Sequence, residues 1–376
     1  MADLRAVILD IGSSRDRMFP RVRPLRSTVV MSRHLLRTVG VVGVVGAGIQ
    51  VACSTPPGGL RRDTAESSAS LEAVRVVHRC APEPATASPV RVARDITYVT
   101  RGDETLELDV AWSPVGPAAP LVVLLHGGGW SGGSRTSFHG EMQALARRGY
   151  TAATVEYRLT RAPRNVFPAA AADVWCAVRS LRRRAEEFHI APGRVAVMGY
   201  SAGGHLASLL GTGAAVERTD PGGCDGGDVT AGVQAVVSYA GPQDLRVNGP
   251  YTQEQADLVT NFLGVFPGDA PEVARLASPI AHVGPGAPPF LMLHGSDDPL
   301  VPISHPRRMR DALRAVGTPA SLLEIPGVGH GFVGFLTSSD ATVRCTVNAF
   351  LTQWLGEPHG TTSTLEATLP PRRDRR

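Results

Sequence analysis

The sequence predicts an α/β architecture: a mostly parallel sheet of eight strands with helices on both faces. Three observations lead there. Residues 120–125, 195–198, 233–239 and 289–293 are nearly continuous apolar runs, the pattern of strands covered on both faces in a parallel sheet. Stretches with helical spacing fall between these runs, as strand–helix–strand units require. The run ending at Met198 breaks into Gly199-Tyr200-Ser201-Ala202-Gly203 and continues as a helical stretch from His205. This is a strand–turn–helix in which only small residues fit at Gly199 and Gly203.

A chain of 376 residues suffices for one large α/β domain with tails or for two small domains. With 43% hydrophobic and 19% charged residues the composition is that of a globular protein. The net charge of +4 is small and falls partly in the Arg-rich ends, so no nucleic-acid partner is expected. All 38 basic residues are Arg, which excludes Schiff-base and Ser-Lys chemistry.

Residues 1–53 read as an N-terminal extension followed by an export signal. Met31 opens a basic stretch, residues 38–52 are apolar, and Cys53 follows Ala52 as in a lipoprotein signal, although Gln50 stands where an aliphatic residue is usual. The expected location is secreted or lipid-anchored to a membrane through Cys53; the alternative is a misplaced start and a cytoplasmic protein. Residues 54–91, rich in Pro, Ala, Ser, Thr and Gly, read as a disordered linker. In an exported chain Cys80, Cys176, Cys224 and Cys345 permit two disulfides in any of three pairings, with a buried free thiol the alternative at Cys176. No Cys-x-x-Cys or other metal spacing occurs, and no metal or cofactor is expected.

The domain proper is expected over residues 92–356. Strands at 95–99 and 106–112 are joined by a turn at Gly102-Asp103, and strict alternation in the second marks a half-exposed strand at a sheet edge. The buried strand at 120–125 ends in His126-Gly127-Gly128-Gly129-Trp130. Consecutive glycines let the backbone approach a ligand and aim its N–H groups at it, so Gly128 and Gly129, joined by Ala202, are the expected oxyanion-hole donors. His126 is expected to brace that loop.

A helix over 137–148, a strand over 151–155 and a helix from Phe167-Pro168 to Phe188 follow. In the second helix Val174, Ala177, Val178 and Leu181 face the core, while Arg179, Arg182, Arg183 and Arg184 form a solvated surface. After the Ser201 turn, residues 220–227 read as an exposed glycine-rich insertion. Residues 246–287 hold short helical pieces without a strand, a cap that would shape the substrate pocket.

The strand at 289–293 ends in His294-Gly295-Ser296-Asp297-Asp298-Pro299. Of the two acids, Asp298, held by the turn before Pro299, is expected to orient an imidazole, while Asp297 faces solvent. A helix over 304–316 and a strand over 321–325 lead to Gly329-His330-Gly331. His330 is the expected general base, since it lies after the last strand in the order Ser, acid, His. A closing helix over 340–354 precedes residues 357–376, read as a disordered tail.

These motifs, with Tyr157-Arg158-Leu159, Phe167-Pro168-Ala169-Ala170, Gly203-Gly204-His205 and Gly241-Pro242-Gln243-Asp244, resemble the α/β-hydrolase superfamily over residues 92–356. The resemblance is narrowest to its hormone-sensitive-lipase-like and bifunctional feruloyl/acetyl-xylan-esterase-like branches, and Gln243 departs from the Thr often found there. It implies a carboxylesterase: metal-free hydrolysis of small-molecule or polysaccharide-linked carboxylic esters through an acyl-serine, with Ser201, Asp298 and His330 as the triad. An amidase or dipeptidyl-type peptidase, and a non-catalytic binding protein on the same fold, are the alternative readings. Acyl and alcohol specificity and oligomeric state stay open.

Overall fold

The computed structural model describes residues 89–213, 224, 229–246, 252–332 and 334–358, all within the unit Asp63–Arg376. The signal-like segment with Cys53, most of the linker with Cys80, the glycine-rich insertion apart from Cys224, and the tail beyond residue 358 lie outside the described residues.

Eight strands form one sheet: β1 (Arg91–Arg101), β2 (Glu104–Trp112), β3 (Ala119–Leu125), β4 (Thr151–Val155), β5 (Ile190–Tyr200), β6 (Ala235–Tyr239), β7 (Phe290–Gly295) and β8 (Ala320–Ile325). Their order is β1-β2-β4-β3-β5-β6-β7-β8. Strands β3 to β8 run parallel, and β2 is antiparallel to both its neighbours. From β3 the chain crosses to β4 on one side and later to β5 on the other. The carboxyl ends of β3 and β5 therefore diverge into a crevice at the switch point of the topology.

Alternation within the buried strands divides the core. Leu121, Val123 and Leu125 face one side with residues of α2 (Ala169–Arg183), α3 (Ala202–Gly211) and α6 (Ser304–Ala315). Val122 and Leu124 face the other with residues of α1 (His139–Arg147) and α7 (Ala341–Leu355). Two further helices, α4 (Gln253–Leu263) and α5 (Pro271–Leu276), lie in the stretch between β6 and β7 where the sequence analysis expects a cap. Among the described residues no helix is long and apolar enough to cross a membrane.

Three details differ from the sequence reading. Strand β2 is interior, and β1 is the edge. Thr105 and Glu107 keep some exposure, but Asp109, 1% exposed, is covered: it takes Arg135 Nε–H at 3.1 Å and lies 2.6 Å from His139 Nε2. Arg182 is buried, its guanidinium donating to the carbonyl oxygens of Pro192, Thr230 and Gly232. The helix expected from residue 137 begins as a 3-10 turn, Arg135–Phe138, capped by Ser134, before α1 starts. Of the two readings left open at Cys176 the disulfide is the one formed, to Cys224, and Cys345 is disulfide-bonded as well.

Candidate active site

Strand β5 ends at Tyr200 and α3 begins at Ala202, leaving Ser201 to make the whole turn at φ 53° and ψ −118°. A non-glycine residue at positive φ is strained and persists only where its surroundings hold it. Here Ser201 N–H donates to Tyr239 O at 2.8 Å, and Ser201 O accepts from His205 N–H at 2.9 Å. The flanking glycines permit the close approach. A Cβ on Gly203 would sit 2.1 Å from Leu125 O, and one on Gly199 would sit 2.2 Å from Gly203 O.

Ser201 Oγ is 2.9 Å from His330 Nε2, and His330 Nδ1 is 2.7 Å from Asp298 Oδ2. The structure thus brings together three side chains that lie after β5, β7 and β8. Asp298 Oδ1 accepts the N–H groups of Leu300 at 2.9 Å and Val301 at 2.8 Å. His294 Nε2 lies 2.7 Å from Val301 O and 3.2 Å from Asp298 Oδ2. Burial alone would raise the Asp298 carboxyl. Hydrogen bonds from His294, His330 and the Val301 N–H, with the charge of His330, outweigh it and hold the group well below the carboxylate range. Asp297 is exposed and takes the Ser296 hydroxyl at 2.6 Å.

Gly128, Gly129 and Ala202 all line a cleft of ≈ 320 Å³ together with Ser201 and His330. Gly128 and Gly129 take φ 121° and 57°, and a Cβ on Gly128 would lie 2.3 Å from Gly132 O, so the loop needs glycine there. His126 does not enter the cleft. Its ring, 1% exposed, stacks on Tyr157 at 4.3 Å with Nδ1 2.8 Å from Gly127 O, which braces the loop. Leu245, Leu258, Val259, Leu300 and Val301 give the cleft apolar walls. Among the described residues no cluster of His, Cys, Asp or Glu could hold a metal ion.

Two supports were not singled out in the sequence. His205 joins the loop after β3 to the stretch after α5, because its Nδ1 accepts Trp130 Nε1–H at 3.2 Å and its Nε2 lies 2.7 Å from Ala277 O. Only its place beside the Gly203-Gly204 pair hinted at this. Glu141 of α1, 3% exposed, accepts the N–H groups of Phe335 at 2.7 Å and Leu336 at 3.0 Å, and also that of Thr337. It thereby anchors the segment that follows His330, which no local pattern could reveal.

The family model BD-FAE matches residues 108–313, more than half of the chain, with Ser201 and Asp298 inside the match. The chain belongs to the BD-FAE family. A second match, to a TAP-like protein model, covers residues 271–362 and with them His330. Among similar proteins, Esterase LipC of Mycobacterium tuberculosis is 35% identical over 267 residues, covering 67% of this chain and 64% of its own length. An acetylxylan esterase of Xylanibacter ruminicola is 29% identical over 61% of this chain and 44% of its own. The chain spans between 56% and 64% of the length of the Mycobacterium tuberculosis relatives LipC, LipQ and LipM.

Of solved structures, a bifunctional GH43-CE protein of Bacteroides eggerthii superposes with a TM-score of 0.61 at 26% identity, over 69% of this chain and 37% of that one. Esterase Est2 of Thermogutta terrifontis gives 0.58 at 23% identity over 76% and 99%. The chain has the α/β-hydrolase fold that the sequence resemblance implied.

Proposed function

We propose that the protein is a serine hydrolase of carboxylic esters acting through an acyl-serine intermediate, with Ser201 as nucleophile, His330 as general base and acid, and Asp298 as its orienting carboxylate. The observation that carries this reading is the unbroken relay from Ser201 Oγ through His330 to Asp298, 2.9 Å and 2.7 Å long.

Ser201 Oγ attacks the ester carbonyl carbon while its proton passes to His330 Nε2. Asp298, held ionised, accepts Nδ1–H and so keeps Nε2 free to take that proton. The oxyanion is received by the N–H groups of Gly128, Gly129 and Ala202, the last at the N-terminus of α3 where the helix dipole adds favourable potential. Collapse breaks the C–O bond, and the alcohol leaves with the proton from His330. Water then gives a proton to His330 and attacks the acyl-serine, releasing the acid and restoring Ser201. The esterase names among the relatives support this reaction, and the carbohydrate-esterase relatives support small-molecule or polysaccharide-linked esters as the substrate class.

Residence outside the cytoplasm, by secretion or by lipid attachment at Cys53, is part of the proposal. The Cys176–Cys224 disulfide supports an oxidising compartment.

The test is turnover of p-nitrophenyl esters by wild type and Ser201→Ala, with fluorophosphonate labelling of the intact protein. Replacing a nucleophile of this kind lowers kcat by about 10⁶, so the variant should be inactive and unlabelled. Wild-type turnover in Ser201→Ala would refute the assignment.

A further inference from the structure

His305, near the start of α6, lines the cleft beside Ser201 but takes no part in the relay. Its Nδ1 accepts the backbone N–H of Gln243 at 3.2 Å and, more weakly, that of Asp244 at 3.4 Å. A nitrogen that accepts carries no proton, so the ring's N–H is on Nε2. That N–H has no hydrogen-bond partner among the described residues. Burial pushes the imidazole down to about 4, with His294 and Arg308 acting in the same direction and Asp244 and Asp298 against it; the ring is a neutral donor at neutral pH.

The neighbouring wall is apolar: Pro242, Leu245, Leu300, Val301 and Pro302. The nearby carboxylate of Asp244 is already engaged by Arg246 at 2.8 Å and Arg308 at 2.7 Å. Before substrate binds, solvent satisfies Nε2–H. A hydrocarbon group that displaces this water leaves a buried donor unpaired, whereas a group with an oxygen at that place replaces the bond. Sites built this way discriminate by the presence of the polar atom far more than by size.

We propose that His305 is a specificity-determining residue whose Nε2–H receives an acceptor oxygen (ether, hydroxyl or carbonyl) on the acyl or alcohol part of the substrate. The site then prefers oxygenated esters, sugar esters among them, to their hydrocarbon isosteres. The inference rests on the hydrolase reading above and deepens it by naming the substrate class.

Two pairs of esters that differ by CH₂ against O test it: p-nitrophenyl butyrate with p-nitrophenyl methoxyacetate, and pentyl acetate with 2-ethoxyethyl acetate. The readout is the kcat/KM ratio within each pair, divided by the corresponding ratio for hydroxide-catalysed hydrolysis. Wild type should favour the oxygenated member of at least one pair by about tenfold, the fold-change of one neutral hydrogen bond. His305→Asn keeps an acceptor for Gln243 and Asp244 N–H but brings no donor to the cleft, and should lose that preference. His305→Gln, whose amide N–H reaches the place of Nε2, should retain more of it. Equal corrected ratios in wild type, or a preference that survives in His305→Asn, overturn the inference alone. Turnover that persists in Ser201→Ala overturns the hydrolase reading and this inference with it.

Discussion

At Asp297 and Asp298 two adjacent carboxylates meet different fates because the turn before Pro299 points one inward and leaves the other in solvent. The spacing from His294 to Pro302 made that choice legible in the sequence, and flanking glycines did the same for Ser201 and His330. The contact of His294 with Asp298 was not legible, since it depends on how the turn folds back on the end of β7. Asp109 and Arg182 were misread for a related reason. A periodic pattern assigns a polar side chain to solvent, and the groups that bind these two come from residues 10 to 50 positions away. Asp298→Asn tests the inner carboxylate. The amide oxygen can still accept Leu300 and Val301 N–H, but its NH₂ would then face His330 Nδ1 and force the ring proton onto Nε2. That tautomer cannot take the Ser201 proton, so kcat/KM should fall by about 10⁴. The melting temperature measured alongside should move far less than an unfolded site would require.

Between β6 and β7 the sequence showed helical pieces but not what they cover. Helix α4 begins with a capping box, in which Thr252 Oγ1 accepts Gln255 N–H and the Gln255 side chain returns to Thr252 N–H. Both residues types are readable as a start signal. The rest is tertiary: Gln255 Nε2 also donates to Leu300 O at 2.6 Å, tying the helix to the turn after Asp298. Phe262 stacks on Trp130 at 4.3 Å, tying it to the glycine loop after β3. Leu258 and Val259 thereby line the cleft, and on the proposed hydrolase reading α4 is the element expected to set how long an acyl chain fits. In Leu258→Trp the larger ring should exclude about two methylenes of a long acyl chain. At ~0.8 kcal/mol each that is roughly a tenfold loss in kcat/KM, confined to the longer esters of a p-nitrophenyl acetate-to-decanoate series. A uniform loss down to acetate would instead mean that the ring acts through Gly129, against which Leu258 packs.

Across the molecule, stability is linked to keeping a buried imidazole neutral. His205 is 0% exposed, and burial lowers it from 6.5 to about 4, with the bond to Ala277 O opposing. It joins three parts of the fold: Trp130 of the glycine loop after β3, its own helix α3, and the stretch after α5. Protonation would place a second proton on Nδ1, where Trp130 Nε1–H already points, so the native state resists it. The unfolded chain has no such constraint and binds the proton near pH 6.5. Between pH 6.5 and 4 the unfolded state therefore holds more protons than the native state, and stability falls as pH falls. Full stability is present above pH 6.5, and the loss from His205 reaches about 3 kcal/mol by pH 4. Burial lowers His126 as well, in the same direction. Urea midpoints of wild type should accordingly decline from pH 7 to pH 4.5. His205→Gln removes one titrating group, so its decline over that range should be shallower, whatever the substitution costs at pH 7. Parallel declines in the two proteins would mean that the acid sensitivity lies elsewhere in the fold.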